Sequence, residues 1–212
     1  MQTVAHAFRQ QDLVAGNVAL DFANTVTARD TRPVDWIDGY PRIVEWARLA
    51  GLVDDEVARR LLAEAARAPR EASAALGRAR RLREALHDVC VALIGGDTAP
   101  AAGAAELESA WKRAASRARL RARKGQLTLA PAAADRGLDL PLDIVAFQAM
   151  ALLSDFDVER TRVCRGHDCG WLFLDTSKGG RRVWCDMATC GNAAKSERFL
   201  RASRRRARRF PA

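Results

Sequence analysis

Two cysteine pairs restrict this chain more than any other feature: Cys164-x4-Cys169 and, after fifteen intervening residues, Cys185-x4-Cys190. Short cysteine loops that face each other present four thiolates to one tetrahedral ion at about 2.3 Å from each sulfur. Zinc is the expected metal, and its shell is then closed, which marks a structural rather than a catalytic site. Iron also accepts four thiolates and is the competing reading. His167 lies inside the first loop, where an exposed loop residue is expected once four cysteines fill the site. The fifth cysteine, Cys90, falls on an apolar helical face with Leu82, Leu86, Val89 and Leu93, and reads as a small buried hydrophobe.

The charge is as uneven as the cysteines. Residues 1–157 carry 21 Lys/Arg and 21 Asp/Glu, whereas residues 158–212 carry 14 and 5. The whole net charge of +9 therefore sits in the cysteine segment. Four thiolates and a divalent ion together carry a charge of about −2, so part of the basic surround offsets that centre. Arg165, Arg181, Arg182 and Lys195 are candidates for that role. The tail Arg204, Arg205, Arg206, Arg208 and Arg209 exceeds it, and an acidic partner is implied, most simply nucleic acid. The candidate contacts are Lys178, Arg181, Arg182, Lys195, Arg198, Arg201, Arg205 and Arg208.

Ahead of the cysteines the pattern is mainly helical. Asn17 can cap a short helix carrying Val18, Phe22 and Val26 on one face. A loop spans Arg29 to Gly39. Pro41 opens a helix with Ile43, Val44, Trp46 and Leu49 inward, stopped at Gly51. Asp54 caps the next, through Val57, Leu61 and Leu62. A long helix follows Pro69 to Gly95-Gly96, and a shorter one passes through Leu107 and Trp111. Alternation around Lys124-Gly125-Gln126 predicts a β-hairpin, and Pro141 begins a last apolar helix. Asp155 to Glu159 marks the boundary between a helical part, 1–157, and a metal segment, 158–212. The latter reads as strands Trp171–Asp175 and Arg181–Cys185 about a Gly-rich turn, then a helix from Ala193 anchored by Phe199 and Leu200. The expected fold class is thus mainly α: a multihelical domain with one β-hairpin, followed by a small zinc-bound hairpin and a C-terminal helix.

Met1 to Gln10 has no apolar h-region, and no stretch approaches the roughly 18 apolar residues of a membrane span. A cytoplasmic protein without membrane contact is expected. Catalysis is not: His6, His87 and His167 are scattered, and neither a nucleophile motif nor a phosphate-binding Gly loop is present.

Phe173, Asp175, Ser177 and the run Trp184-Cys185-x4-Cys190-Gly191-Asn192, with Lys195, resemble the CGNR zinc finger proteins of bacteria. Ala193 stands where that family carries Arg. The stretch from Gly16 to Thr25 (GNVALDFANT) resembles the family's companion helical domain, ABATE. The resemblance implies a stress-related transcription regulator that binds DNA. DNA is expected ahead of RNA, whose charge would fit equally. The alternative is a small-molecule-sensing or protein-binding module in which zinc only braces the fold. Its candidate site is Asp21, Asn24 and Thr25, which share one helical face among apolar neighbours; a structural network is the competing account of these three. A small-molecule effector and a homodimer are further candidate partners.

Overall fold

The computed structural model describes residues 1–123, 125–131 and 137–209; for most of 121–131 and for 202–209 it describes the backbone alone. Seven helices and seven strands are labelled here in chain order. The helices form the bulk. Helix α1 (Val18–Ala23) starts where the Asn17 side chain accepts the Ala19 N–H, and α3 (Asp55–Arg67) starts where Asp54 accepts that of Val57. Each cap satisfies an amide that the helix itself leaves free, worth about 1 kcal/mol. Between them lies α2 (Tyr40–Leu49), with Pro41 in its first turn. The 27-residue α4 (Pro69–Gly95) is the spine. Helices α5 (Ala101–Ser116) and α6 (Leu140–Ser154) pack along it and along each other.

The core collects the apolar faces read from the sequence. Ile43, Val44, Trp46, Leu61, Leu82, Leu86 and Val89 are buried. Removing each such side chain from water contributes about 1.5–3 kcal/mol. Leu62 is an exception, 40% exposed on the outer side of α3. Cys90 is fully buried, and burial pushes its thiol up to about 12, so it is inert at neutral pH. No described helix is long and apolar enough to cross a membrane.

The N-terminal region departs from the sequence expectation. Helix α1 stops before Val26, which enters β2 (Val26–Thr27), and the expected loop contains β3 (Val34–Asp35). With β1 (Gln2–Thr3) these make a small sheet ordered β1-β3-β2. A buried ion pair explains the turn. The Arg83 guanidinium, from the middle of α4, meets Asp35 at 2.6 and 3.0 Å and also donates to Thr25. Arg83 and Asp35 are almost wholly buried, and Arg80 adds a 3.0 Å contact to the same carboxylate. Two-residue strands have little pairing energy of their own, so this anchor fixes where they lie.

The predicted hairpin is β4 (Ala118–Arg123) with β5 (Gln126–Pro131). Gln126 pairs with Arg123, so the turn is one residue tighter than expected; Lys124 lies outside the described residues.

The cysteine segment contains one further correction. Residues 181–185 do not form a strand. The partner of β7 (Leu172–Leu174) is β6 (Thr161–Val163), in antiparallel register Val163↔Leu172 and Thr161↔Leu174. The reason lies at Asp175. Its buried carboxylate accepts the Ser177 hydroxyl and N–H and the Arg182 N–H, which holds it below the usual carboxylate range. The chain is thereby turned out of the sheet after Leu174.

Arg83→Met should lower stability by about 3–5 kcal/mol at neutral pH, because it leaves the Asp35 charge buried with poor compensation. Burial raises the Asp35 pKa, but Arg83, the Ile37 N–H and Arg80 together leave it below its ordinary 3.8. Its stabilising contribution is therefore complete above that value and lost as pH falls through the folded value. Urea titrations should show the variant's deficit shrinking below pH 4; a deficit that grows on acidification would contradict the assignment.

Candidate metal centre

Each pair of cysteines sits on a different device. Cys164 and Cys169 close the loop of the β6–β7 hairpin, and the Cys164 N–H donates to Trp171 O at 2.7 Å. Cys185 follows the segment fixed by Asp175. Cys190 lies in a single π-helical turn, Met187–Gly191, capped by Asp186, which accepts from both the N–H and the hydroxyl of Thr189. Helix α7 (Asn192–Arg209) continues directly from this turn.

The four sulfurs lie within 4.8 Å of one another. Cys185 Sγ is 3.7 Å from both Cys169 Sγ and Cys190 Sγ. A disulfide would need about 2.05 Å. A regular tetrahedron of thiolates at about 2.3 Å from zinc has edges of about 3.8 Å. The donor set, its spacing and its burial are therefore consistent with zinc. Three of the cysteines are buried and Cys190 is half-buried. Backbone N–H groups of Gly166 and Cys185 point at Cys164 Sγ, each at 3.3 Å, a pattern that favours thiolate at that position. Side-chain contacts with Cys169 and Cys185 are the main pull lowering the Cys164 thiol, and the contact with Cys164 pushes the Cys169 and Cys185 thiols up. Four thiolates cannot share this volume without a cation. His167 is not among the cluster; its side chain is exposed and pairs with Asp168 at 2.8 Å.

Gly166 is required by the packing. A Cβ there would stand 2.8 Å from Cys190 Sγ and 3.0 Å from its Cβ. Gly170 is required twice over: its φ is +71°, and a Cβ would lie 2.9 Å from that of Arg29.

The cluster rests on the helical part along a polar seam. Asn24 Nδ2 donates to Leu172 O and its Oδ1 accepts the Leu172 N–H, both at 2.8 Å. Leu174 N–H donates to Ala15 O at 2.8 Å, and the Trp171 indole to Val26 O at 3.1 Å. Thr31 donates to Asp168, and His87 Nε2 lies 3.4 Å from Gly170 O. The other two residues of the predicted polar group face inward as well. Asp21 accepts the Ala15 N–H, and Thr25 donates to Phe22 O while receiving Arg83.

A family model described as ABATE, "Putative stress-induced transcription regulator", matches residues 16–155. A second, the CGNR zinc finger, matches residues 160–209. The chain belongs to the ABATE family and carries a CGNR zinc finger. No curated protein matches it. The ABATE stretch Gly16–Thr25 thus supplies Asn24, whose amide holds Leu172 of strand β7 in the finger.

Around the CGNR finger the predicted basic residues separate. Lys178, Arg181, Lys195, Arg198 and Arg201 are exposed. Arg201 pairs with Glu197 one turn away. Arg182 is half-buried: it lies 4.7 Å over the Phe173 ring and donates to the carbonyls of Trp184 and Cys185. The side chains of Arg205 and Arg208 lie outside the described residues. Phe199 and Leu200 do not anchor α7; they are 72% and 55% exposed, because no facing surface among the described residues covers them. Arg182 and Asp175 as loop-holding groups were missed by sequence reasoning, although the Phe-x-Asp-x-Ser pattern carried the signal.

Two predictions concern this site. Gly166→Ala should weaken metal uptake at least ten-fold in a competition with a chromophoric chelator, while Gly179→Ala should leave it unchanged. Cobalt(II) substitution should give the spectrum of tetrahedral four-thiolate coordination. Separately, burial pushes the Asp21 carboxyl up to about 6 from 3.8. The protonated form is then favoured by folding, so its contribution is present at low pH and lost as pH rises through about 6. Asp21→Asn, which keeps the acceptor for Ala15, should flatten the stability profile between pH 4 and 6; an unaltered profile would show that Asp21 titrates normally.

Proposed function

We propose that this protein is a DNA-binding transcription regulator whose zinc-braced C-terminal segment contacts backbone phosphates. Cys164, Cys169, Cys185 and Cys190 would hold the ion. Bound zinc would supply folding energy to a segment too short to bury a sufficient core alone. In this reading residues 158–212 carry the contact and residues 1–157 form the platform beneath it.

The observation that carries the reading is the placement of charge. The chain's whole positive excess lies in 158–212, and helix α7, with eight Lys/Arg against one acidic residue, starts two residues after the last cysteine. Arg198, Arg201, Arg205 and Arg208 recur at three- and four-residue steps, hence on one helical face. A helix so charged repels itself and gains most from a polyanion that neutralises it. The transcription-regulator family favours DNA over RNA as that polyanion.

Affinity for duplex DNA should fall steeply with salt. If four phosphates are neutralised, the log–log slope should be about −4. A chain ending at Ser203, which lacks five arginines of α7, should bind more weakly and with a shallower slope, as read by fluorescence anisotropy. Absence of binding by the zinc-loaded full chain at low salt would refute the DNA reading.

A further inference from the structure

Two clefts flank the turn Cys164–Gly166. One, of about 640 Å³, lies between β6, residues 180–183 and Ile94 near the end of α4. Arg162, Arg165, Arg181 and Arg182 all line it. The other, of about 530 Å³, lies between the same turn and the start of α7, lined by Arg165, His167, Trp184 and Arg198 among others. Arg165 alone of these arginines borders both.

The four arginines of the first cleft divide by what they hold. Arg162 donates to the carbonyls of Glu159 and Gly180, and Arg182 to those of Trp184 and Cys185. Both are committed to the loop. The guanidinium groups of Arg165 and Arg181 are exposed and have no hydrogen bond or ion pair among the described residues. In the second cleft Arg198 is also exposed; among the described residues its guanidinium makes a 3.3 Å bond to Ala194 O within its own helix. The acidic groups on these walls are Glu159 in the first cleft and Asp30 and Glu197 in the second, and Glu197 is engaged by Arg201.

The backbone beneath Arg165 is fixed by its neighbours. It follows the ligand candidate Cys164, its own N–H donates to Val183 O at 3.2 Å, and Gly166 abuts Cys190. A side chain projected from so constrained a backbone loses less entropy when it captures a partner. Ala193 stands at the position named Arg in a CGNR finger and lines the second cleft, leaving it open. Cations beside that space come instead from Arg165 across the cleft and Arg198 further along α7. Unpaired guanidinium groups recognise phosphate by paired hydrogen bonds.

We propose that Arg165, flanked by Arg181 and Arg198, is the phosphate-binding centre of this finger and takes backbone phosphates of duplex DNA. Arg165 is then a contact residue rather than a counter-charge to the sulfur cluster, and Arg182 holds the loop. The proposal rests on the DNA reading above.

The test uses the zinc-loaded full chain and a random-sequence DNA duplex over a series of salt concentrations. The variants are Arg165→Gln, Arg165→Gln with Arg181→Gln, and Arg59→Gln as an exposed control on α3, far from the finger in sequence. Zinc content and circular dichroism should match wild type in all three, since none of these side chains holds the fold. The double variant should bind more weakly, with its salt slope shallower by about 2, one for each lost phosphate contact. Arg165→Gln should account for about half of that change, and Arg59→Gln for none. Wild-type binding with a double variant indistinguishable from Arg59→Gln overturns the phosphate centre and leaves the DNA reading standing. No wild-type binding overturns both. Tighter binding to an RNA duplex at equal salt overturns the choice of DNA.

Discussion

The two hydrogen bonds between Asn24 and Leu172 decide how this molecule is joined. A three-residue strand has two edges, and β7 cannot leave either one unpaired in a buried position. Trp171, Phe173 and Asp175 face β6 and the chain leading into it, through Trp171 O to Cys164 N and Asp175 N to Arg160 O. Leu172 and Leu174 face the other way. There a side-chain amide at Asn24 and a carbonyl at Ala15 take the place of a missing strand. The open edge of β7 is thus completed by the helical part, and Leu172 and Phe173 join one continuous core with Phe22 and Trp46. Losing that amide would orphan both polar groups of Leu172 at once.

The same joint bears on the sulfur cluster. The first cysteine loop is gripped from below by Arg29 against Gly170, Thr31 on Asp168 and Trp171 on Val26. Two of its cysteines are therefore positioned by the helical part, whereas Cys185 and Cys190 are positioned by the Asp175 turn and the Asp186 cap. A cation held by all four sulfurs would tie these two halves together. On the far side, the described cations of α7, Lys195, Arg198 and Arg201, are exposed. The basic residues form a division of labour: Arg162 and Arg182 are spent on loop carbonyls, and Arg165, Arg181 and Arg198 remain available.

Much of this was legible from residue patterns. Asn17 and Asp54 caps, the apolar faces of α2 and α4, and the β4–β5 turn all depend on neighbours a few positions away. The cysteine grouping was legible because metal geometry limits ligand spacing. Less local features were misread. Strand β6 is only three residues, Thr161–Val163, too short to show alternation, so its place was given to 181–185. Phe199 and Leu200 looked like anchors because their apolarity is visible in a sequence and the absence of a facing surface is not.

The sequence by itself determined the grouping of the four cysteines, the helical class of the part ahead of them and the concentration of charge beyond it, because each follows from composition or short-range spacing. The tertiary structure alone decided what Asp21, Asn24 and Thr25 touch, which strand pairs with β7, and which arginines are free. Most of those outcomes depend on contacts between residues distant in the chain, such as Asn24 with Leu172 and Arg83 with Asp35. No local pattern encodes such contacts; they arise only when burial forces every polar group to find a partner.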